Sequence, residues 1–388
     1  GCAKGPSASK PTTDTAVLRE AAPKYAETIT AADLSKHLYI IASDEYEGRN
    51  TGEKGQKMAA EYIAREFRED GLMGPVQNST NPYYQTFDLE KSRWGEGHIS
   101  IGKEKYLMMQ DFFPYSSSAF STEESLEAIY AASAEEVASK NVQGKLLVTL
   151  LASQDEMRTK MRGFSAAAEK AGAKGVVYVM GAEPFRAMSE RFSHRLQEPS
   201  ISRTGGSTRP VTLIASPTVG ASLLGTNPEQ LMAAAQPTAP AAFTPSTSVK
   251  VLTSRISEPL PTENVLGFVE GTDKKDEVVI VTAHYDHVGV DESLEGDKIY
   301  NGANDDGSGT VAVIELAEAF AQAKKDGYGP RRSVLFMTVT GEEKGLLGSD
   351  YYVENPIFPL ANTVANVNID MIGRMDYTYE KTNDSNYI

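Results

Sequence analysis

The chain has 388 residues, which at about 100–200 residues per domain accommodates two or three domains, or one large domain with an insertion. Its formal net charge of −15, from 38 Lys and Arg against 53 Asp and Glu, disfavours nucleic-acid binding through phosphate neutralisation. The composition, 40% apolar and 23% charged, is that of a globular protein, and no run approaches the ~18 consecutive apolar residues of a membrane-spanning helix.

The first segment, residues 1–24, is predicted to be a flexible leader, because it is poor in large apolar residues and rich in turn formers. It contains Cys2, the one cysteine of the chain, so an intrachain disulfide and a multi-cysteine zinc site are excluded. Cys2 behind a Gly resembles the end of a bacterial lipobox, which would give a lipid anchor. The alternative is an unmodified, exposed cysteine. On the first interpretation we expect an exported lipoprotein, secreted to the periplasm or the cell surface.

Helix and strand patterns begin after the leader. Thr30 opens a capping-box-like start for a helix to about residue 42. Residues 53–70 carry apolar side chains at helical spacing and are followed by Gly71, which predicts an amphipathic helix. Residues 84–90 alternate between apolar and polar side chains over part of their length, as a half-buried strand would.

The middle of the chain, residues 118–250, differs in character. Strands are predicted over 145–151, 176–180 and 211–215, with an Ala-rich helix between the first two. Ser- and Pro-rich joints bound this stretch, which therefore predicts a small α/β domain inserted into a larger one. We expect the larger domain to be discontinuous, comprising residues 25–117 and 251–388.

From Asn264 the pattern is strand, loop and helix in repetition. The predicted elements are strands over 278–282, 333–339 and 364–369 and helices over 310–323 and 346–353. Strands that alternate with helices predict an α/β fold, here a mostly parallel central sheet with helices on both faces.

Polar clusters follow these strands directly. The clusters are His284-Tyr285-Asp286-His287, Gly341-Glu342-Glu343 and Asp370, with a fourth, Asn304-Asp305-Asp306-Gly307, in the loop before a helix. Each alone is typical of an ordinary surface pair or turn. Because ligand sites of open α/β sheets lie beyond the carboxyl ends of the strands, their convergence predicts a divalent metal site, with zinc first.

The spacing within the clusters suggests a division of work. Asp286, two residues after His284, could accept the ring N–H and fix the tautomer. Of the adjacent glutamates, one could bind metal and the other move protons. A carboxylate such as that of Asp305 could bridge two metals about 3.5–4 Å apart.

Four motifs in this order and spacing resemble a known family, the dinuclear zinc aminopeptidases related to glutamate carboxypeptidase II, the transferrin receptor and bacterial secreted aminopeptidases. The motifs are Thr282–Gly289, Asn301–Gly309, Thr340–Ser349 and Asn368–Met371, and the earlier segments Glu47–Gly52 and Asn264–Gly267 agree. The inserted stretch resembles a protease-associated domain. The resemblance implies the zinc-peptidase fold, similar to that of phosphorylases and other hydrolases.

The resemblance also implies two zinc ions and a role for each site residue. The implied metal ligands are His284 and Asp370 for one zinc, Glu343 for the other, and Asp305 between them. Glu342 would be the general base and would then protonate the leaving amine, and Asp286 would orient His284. The Asp305–Asp306 peptide bond would be cis, as in the family.

One departure concerns the second zinc. The family supplies a final His well beyond the equivalent of Asp370, whereas no His follows His287 here and the sequence stops at Ile388. We expect the natural chain to continue. The alternative, that His287 substitutes, is disfavoured because His287 lies three residues from His284 at a strand end and would point elsewhere.

The function expected from the resemblance is that of a zinc-dependent exopeptidase acting on peptides, an aminopeptidase with Glu342 as general base. A carboxypeptidase is an alternative within the enzymes. A non-catalytic, receptor-like module of the same fold is the alternative outside them, and its signature would be eroded ligands.

Overall fold

The structure is a computed structural model that describes residues 11–205, 209–235 and 243–374. Cys2, on which the predicted lipid anchor and the predicted export depend, lies outside the described residues. The chain divides into two compact units, which we call unit 1 (Gly1–Leu89 with Leu260–Ile388) and unit 2 (Glu90–Pro259).

The helices of the described residues are α1 (Thr15–Ala26), α2 (Ala31–Ile41), α3 (Lys54–Asp70), α4 (Ala134–Ser139), α5 (Gln154–Lys170), α6 (Ala182–Gln197), α7 (Pro217–Leu224), α8 (Pro228–Ala234), α9 (Ser308–Lys325) and α10 (Leu347–Glu354). Short 3₁₀ turns cover Asp44–Arg49 and Leu360–Asn362, and one wider turn, Ala303–Gly307, leads directly into α9. In the part of the chain that is described, no helix combines the length and the apolarity needed to cross a bilayer.

The strands are β1 (Tyr84–Ile101), β2 (Glu104–Leu107), β3 (Phe112–Pro114), β4 (Glu124–Leu126), β5 (Ala128–Tyr130), β6 (Leu146–Leu151), β7 (Gly175–Met180), β8 (Ser200–Arg203), β9 (Val211–Ala215), β10 (Val249–Val269), β11 (Lys274–His284), β12 (Gly289–Val290), β13 (Ile299–Tyr300), β14 (Arg332–Val339) and β15 (Thr363–Asn368). Every helix and strand predicted from the sequence in chain order is present, with ends that differ by a few residues, except that β1 and β11 extend further; the long strand β10 was not predicted.

The sheet of unit 1 is built around β11. This strand is parallel to β14 on one side and to β15 on the other, while β10 runs antiparallel to β14. Helices α2, α3 and α9 pack on one face of the sheet through buried apolar side chains. Tyr352 of α10 packs on the other face with Leu266 and Leu335. The predicted α/β fold with helices on both faces is confirmed, and its parallel part is the trio β15–β11–β14.

The leader prediction is wrong over residues 15–24, which form most of α1. Asp14 caps this helix, since its Oδ1 accepts a hydrogen bond from the backbone N of Ala16 (2.9 Å). Tyr25 is buried, and its hydroxyl donates to Asp326 at the end of α9 (2.9 Å). A polar, Ala-rich sequence can thus be helical when one capping residue and one aromatic anchor fix its ends.

Unit 2 has a sheet of its own in the order β3-β9-β7-β6-β5. Strands β5, β6, β7 and β9 are parallel and β3 is antiparallel. The unit begins at residue 90, earlier than the predicted 118, because Ile99, Tyr106 and Phe112 pack in the same core as Val148 and Leu213. The likeness of this unit to a protease-associated domain stays a prediction.

Candidate metal centre

Three strands of unit 1 deliver polar side chains to one edge of the sheet. Strand β11 ends at His284, β14 is followed by Glu342 and Glu343, and β15 is followed by Asp370. Because β11 is parallel to both neighbours, the carboxyl ends of all three strands lie at the same edge. The turn before α9 brings Asp305 to the same place.

A first group of potential ligands surrounds His284. Its Nε2 lies 3.1 Å from Oδ1 of Asp305, 3.7 Å from Oε2 of Glu342 and 3.8 Å from Oδ1 of Asp370. The imidazole is buried, whereas the side chains of Asp305 and Asp370 are 37% and 41% exposed. The histidine therefore forms the floor of the group, and the carboxylates form its open side.

A second group consists of His287, Asp305 and Glu343, and so shares Asp305 with the first. Nδ1 of His287 lies 2.7 Å from Oε1 of Glu343. The expectation that His287 points elsewhere is therefore wrong. The chain does not continue as a strand after β11; the backbone N of His287 donates to the carbonyl of Arg49 (3.1 Å), which turns the residue back towards the site.

The orientation of His284 differs in one detail from the prediction. Its Nδ1 lies 3.0 Å from the backbone carbonyl O of Asp286, and 3.8 Å from the carboxylate of the same residue. The Asp286 carboxylate instead accepts hydrogen bonds from Thr51 Oγ1 (2.9 Å) and from the backbone N of Glu342 (3.1 Å). Asp286 thus connects the β11 end to the segment that carries Glu342.

Burial and mutual repulsion shape the ionisation of the site. Burial raises the pKa of Asp286, which is fully enclosed, and is also the main cause of the raised pKa of Glu342. For His284, burial alone would lower the pKa, but the charges of Asp286, Asp306 and Glu342 outweigh it and raise the pKa. The site is a region of excess negative charge, which attracts a cation.

Asp306 was not singled out by the sequence, although it stands beside Asp305. Its carboxylate is buried and accepts hydrogen bonds from the backbone N atoms of His284 (3.2 Å), Gly309 (2.9 Å) and Met371 (3.1 Å). Burial raises its pKa to about 7. The Asp305–Asp306 peptide bond is cis, as the resemblance implies. The pair Asp-Asp is visible in the sequence, but which carboxylate faces outward is not.

The donor set fits a divalent metal. Within each of the two groups, the imidazole nitrogen and the carboxylate oxygens all lie within 4.8 Å of one another. Imidazole and carboxylate are both ligands of zinc, and a shared carboxylate suits a pair of ions. Of the predicted metal ligands, His284, Asp305, Glu343 and Asp370 all lie in these groups, and His287 is added to them.

One model of a known protein family matches the part of the chain that carries this arrangement. Residues 264–387 match the model described as "Peptidase family M28". This segment, which is less than half of the chain, is therefore similar to peptidase family M28. The matched segment begins within β10 and contains the polar clusters that converge at the edge of the unit 1 sheet.

Curated relatives match about a third of the chain. A probable zinc metalloprotease of Pyrenophora teres f. teres is 36% identical over 32% of this chain, and aminopeptidase YwaD of Bacillus subtilis is 33% identical over 32%. A probable glutamate carboxypeptidase of Arthroderma benhamiae is 38% identical over 29%. These matches cover 25%, 26% and 14% of the relatives, so the chain spans about a quarter or less of their length.

Among solved structures, an aminopeptidase from Aneurinibacillus sp. strain AM-1 is similar with a TM-score of 0.46 and 18% sequence identity. The likeness covers 89% of this chain and 71% of that chain.

Proposed function

We propose that this protein is a zinc-dependent metallopeptidase. Specifically, we propose an aminopeptidase that binds two zinc ions and uses them to hydrolyse peptides. The observation that carries the proposal is the pair of ligand groups that share Asp305, with a further carboxylate, that of Glu342, beside them and outside both groups. His284 and Asp370 would hold one ion, His287 and Glu343 would hold the other, and Asp305 would contribute to both sites.

Zinc bound here would act as a Lewis acid, polarising the scissile carbonyl and lowering the pKa of water. The protein's own contribution is proton transfer and positioning. Glu342, with a pKa raised by burial, is suited to accept a proton from the attacking water and to give it to the leaving amine. The hydrogen bond from its backbone N to Asp286 keeps the segment in place.

The non-catalytic alternative fits the site less well, because the four predicted metal ligands lie together in the two groups and the carboxylate of Glu342 lies beside them. The choice of aminopeptidase over carboxypeptidase is supported by the name of the Bacillus subtilis relative, whereas the name of the Arthroderma relative supports the alternative. Substrate assays must therefore include both classes.

The test combines metal analysis with a substrate panel. We expect about two zinc per chain in the wild type, hydrolysis of aminoacyl-p-nitroanilides, and little hydrolysis of amino-blocked dipeptides. The Asp305→Asn variant, which weakens the shared ligand, should lose both zinc and activity. Cleavage confined to amino-blocked dipeptides would indicate a carboxypeptidase. Folded protein that binds no zinc and cleaves neither class would contradict the proposal.

A further inference from the structure

A fully buried arginine lies behind the metal centre. Arg49 stands in the loop between α2 and α3 and has no exposed surface. Its guanidinium donates four hydrogen bonds, and all four acceptors are backbone carbonyl oxygens. The bonds are Nε to Tyr285 (2.8 Å), one terminal nitrogen to Ile41 (2.6 Å) and Asn301 (2.8 Å), and the other to Gly302 (2.9 Å).

These acceptors belong to three separate segments. Ile41 ends α2, Tyr285 lies between His284 and Asp286, and Asn301 with Gly302 begins the turn that carries Asp305. A planar guanidinium with donors in fixed directions can hold several carbonyls at set angles, which the single ammonium of a lysine cannot do. Arg49 thus connects the segment of one metal-ligand group to the segment of the shared ligand.

The backbone of the same loop is fitted against the site. The carbonyl of Arg49 accepts from the backbone N of His287, and Thr51 Oγ1 donates to the buried carboxylate of Asp286. Gly48 has a φ of +64°, and a Cβ there would lie 2.5 Å from the carbonyl oxygens of Gly289 and Tyr300. The loop therefore packs against these segments too closely to accept any side chain at position 48.

The positive charge of Arg49 also acts on the carboxylates of the site. Burial lowers its pKa to about 10, so it stays protonated at neutral pH, and Asp286, Asp306 and Asp305 favour the charged form. A buried cation whose hydrogen bonds all go to neutral carbonyls still reduces the repulsion among these three carboxylates.

We propose that Arg49, assisted by Thr51, is a positioning residue of the metal centre: it holds the end of β11 and the turn before α9 in the register that brings His284 and Asp305 together. The inference rests on the proposed metallopeptidase function for its role, while the contacts themselves do not require a metal.

The test compares Arg49→Lys and Thr51→Val with a control of similar thermal stability. Thr51→Val is nearly isosteric and removes the hydrogen bond to Asp286, so it serves if Arg49→Lys does not fold. The control is Phe67→Leu, in the unit 1 core on α3, which lowers stability without removing a hydrogen bond of the loop. We expect the first two variants to raise the zinc dissociation constant by about 10–100-fold and to alter the absorption spectrum of the Co²⁺-substituted protein.

Hydrogen–deuterium exchange of the metal-free proteins provides a readout that is independent of the proposed function. We expect faster exchange in peptides covering 284–287 and 301–307 of the Arg49→Lys variant. If exchange is faster in the variant than in the wild type but the wild type binds no zinc, the metallopeptidase function is refuted and the positioning role stands. Unchanged exchange and zinc affinity in both loop variants, or an equal loss of zinc affinity in Phe67→Leu, would overturn the positioning role.

Discussion

At the scale of single residues, the acidic side chains of the centre divide by what they contact. Asp286 and Asp306 are fully buried and accept hydrogen bonds from the protein, three of them from backbone N atoms in the case of Asp306. The side chains of Asp305, Glu342 and Asp370 are 37%, 32% and 41% exposed, and their carboxylates lie 3.1–3.8 Å from Nε2 of His284. The first kind holds the loops, and the second is available to a metal and a substrate.

Glu342 provides the sharpest test of chemistry. Replacing it by Gln removes the proton acceptor but keeps the shape and the backbone contact to Asp286. We expect kcat to fall by about 10²–10⁴-fold, the usual contribution of a general base, with the zinc content unchanged. The measurement is kcat on an aminoacyl-p-nitroanilide with metal analysis of the same sample.

Glu343→Gln is the matched comparison, because it changes the neighbouring carboxylate in the second ligand group. This variant should lose zinc as well as activity. Full activity in Glu342→Gln with its zinc retained would remove Glu342 from the mechanism.

The sequence could predict which residues meet at the sheet edge, because strand ends and loop starts are local features. It could not show which groups Arg49 contacts. Apart from the carbonyl of Ile41, its acceptors are backbone atoms 236 to 253 positions further along the chain. The contacts of Asp306 and the direction of His287 escaped for the same reason: both depend on how distant segments meet. The roles assigned to the metal ligands and to Glu342 stay predictions.

At the scale of elements, α2, α3 and α9 share a buried polar cluster. Nδ1 of His37 on α2 lies 2.6 Å from the hydroxyl of Tyr62 on α3, and Nε2 lies 3.0 Å from Oε1 of Glu315 on α9. Burial lowers the pKa of His37 and raises that of Glu315 to about 7. A neutral His37 whose Nδ1 accepts from Tyr62 fits the first contact, while Oε1 of Glu315 lies close to Nε2 without a hydrogen-bond partner among the described residues.

Glu315 therefore costs stability when it ionises. Its pKa is higher in the folded than in the unfolded chain, where about 4.5 applies, so the free energy of unfolding falls as the pH rises from about 4.5 to about 7. Glu315→Gln keeps the size of the side chain and has no charge to bury. We expect this variant to be more stable than the wild type by about 1–3 kcal/mol at pH 8, and equal to it below pH 4.5.

Urea unfolding at several pH values measures this difference, with Glu61→Gln, an exposed position on α3, as the control that should show none. A Glu315→Gln variant less stable than the wild type at pH 8 would mean that the ionised pair with His37 is stabilising.

The elements themselves were largely predictable, since apolar runs and helical periodicity are local features of the sequence. The exception, α1, shows the limit of composition. Residues 15–24 have the composition of a leader, but α1 is anchored by the hydrogen bond from Tyr25 to Asp326, which is 301 positions further along the chain. The boundary of unit 2 was missed likewise, because residues 99–112 have an unremarkable composition and join its core only through packing.

At the scale of the whole molecule, all the metal-ligand candidates lie in unit 1. A ligand that binds only folded unit 1 stabilises it by mass action, by about 2.7 kcal/mol at 100 times the dissociation constant. We therefore expect zinc to raise the unfolding temperature of unit 1 and to leave that of unit 2 unchanged. The single tryptophan, Trp94, lies in unit 2, so its fluorescence reports on that unit.

The measurement is thermal unfolding followed by far-ultraviolet circular dichroism and by Trp94 fluorescence, with and without zinc. Only the dichroism transition should move, and in Asp305→Asn neither should. An equal shift of both transitions would show that the two units unfold together.

The reach of Arg49 also constrains when the centre can form during synthesis. Its partner Tyr285 is 236 residues downstream, and the whole of unit 2 is translated in between. At about 5–20 residues per second, a ribosome needs roughly 10–50 s to cover that distance. For that interval the amino-terminal part of unit 1 lacks both the carbonyl of Tyr285 that Arg49 contacts and strands β11 and β14, while the strands of unit 2 are being made. The metal centre can therefore form only after the whole of unit 2 has been translated.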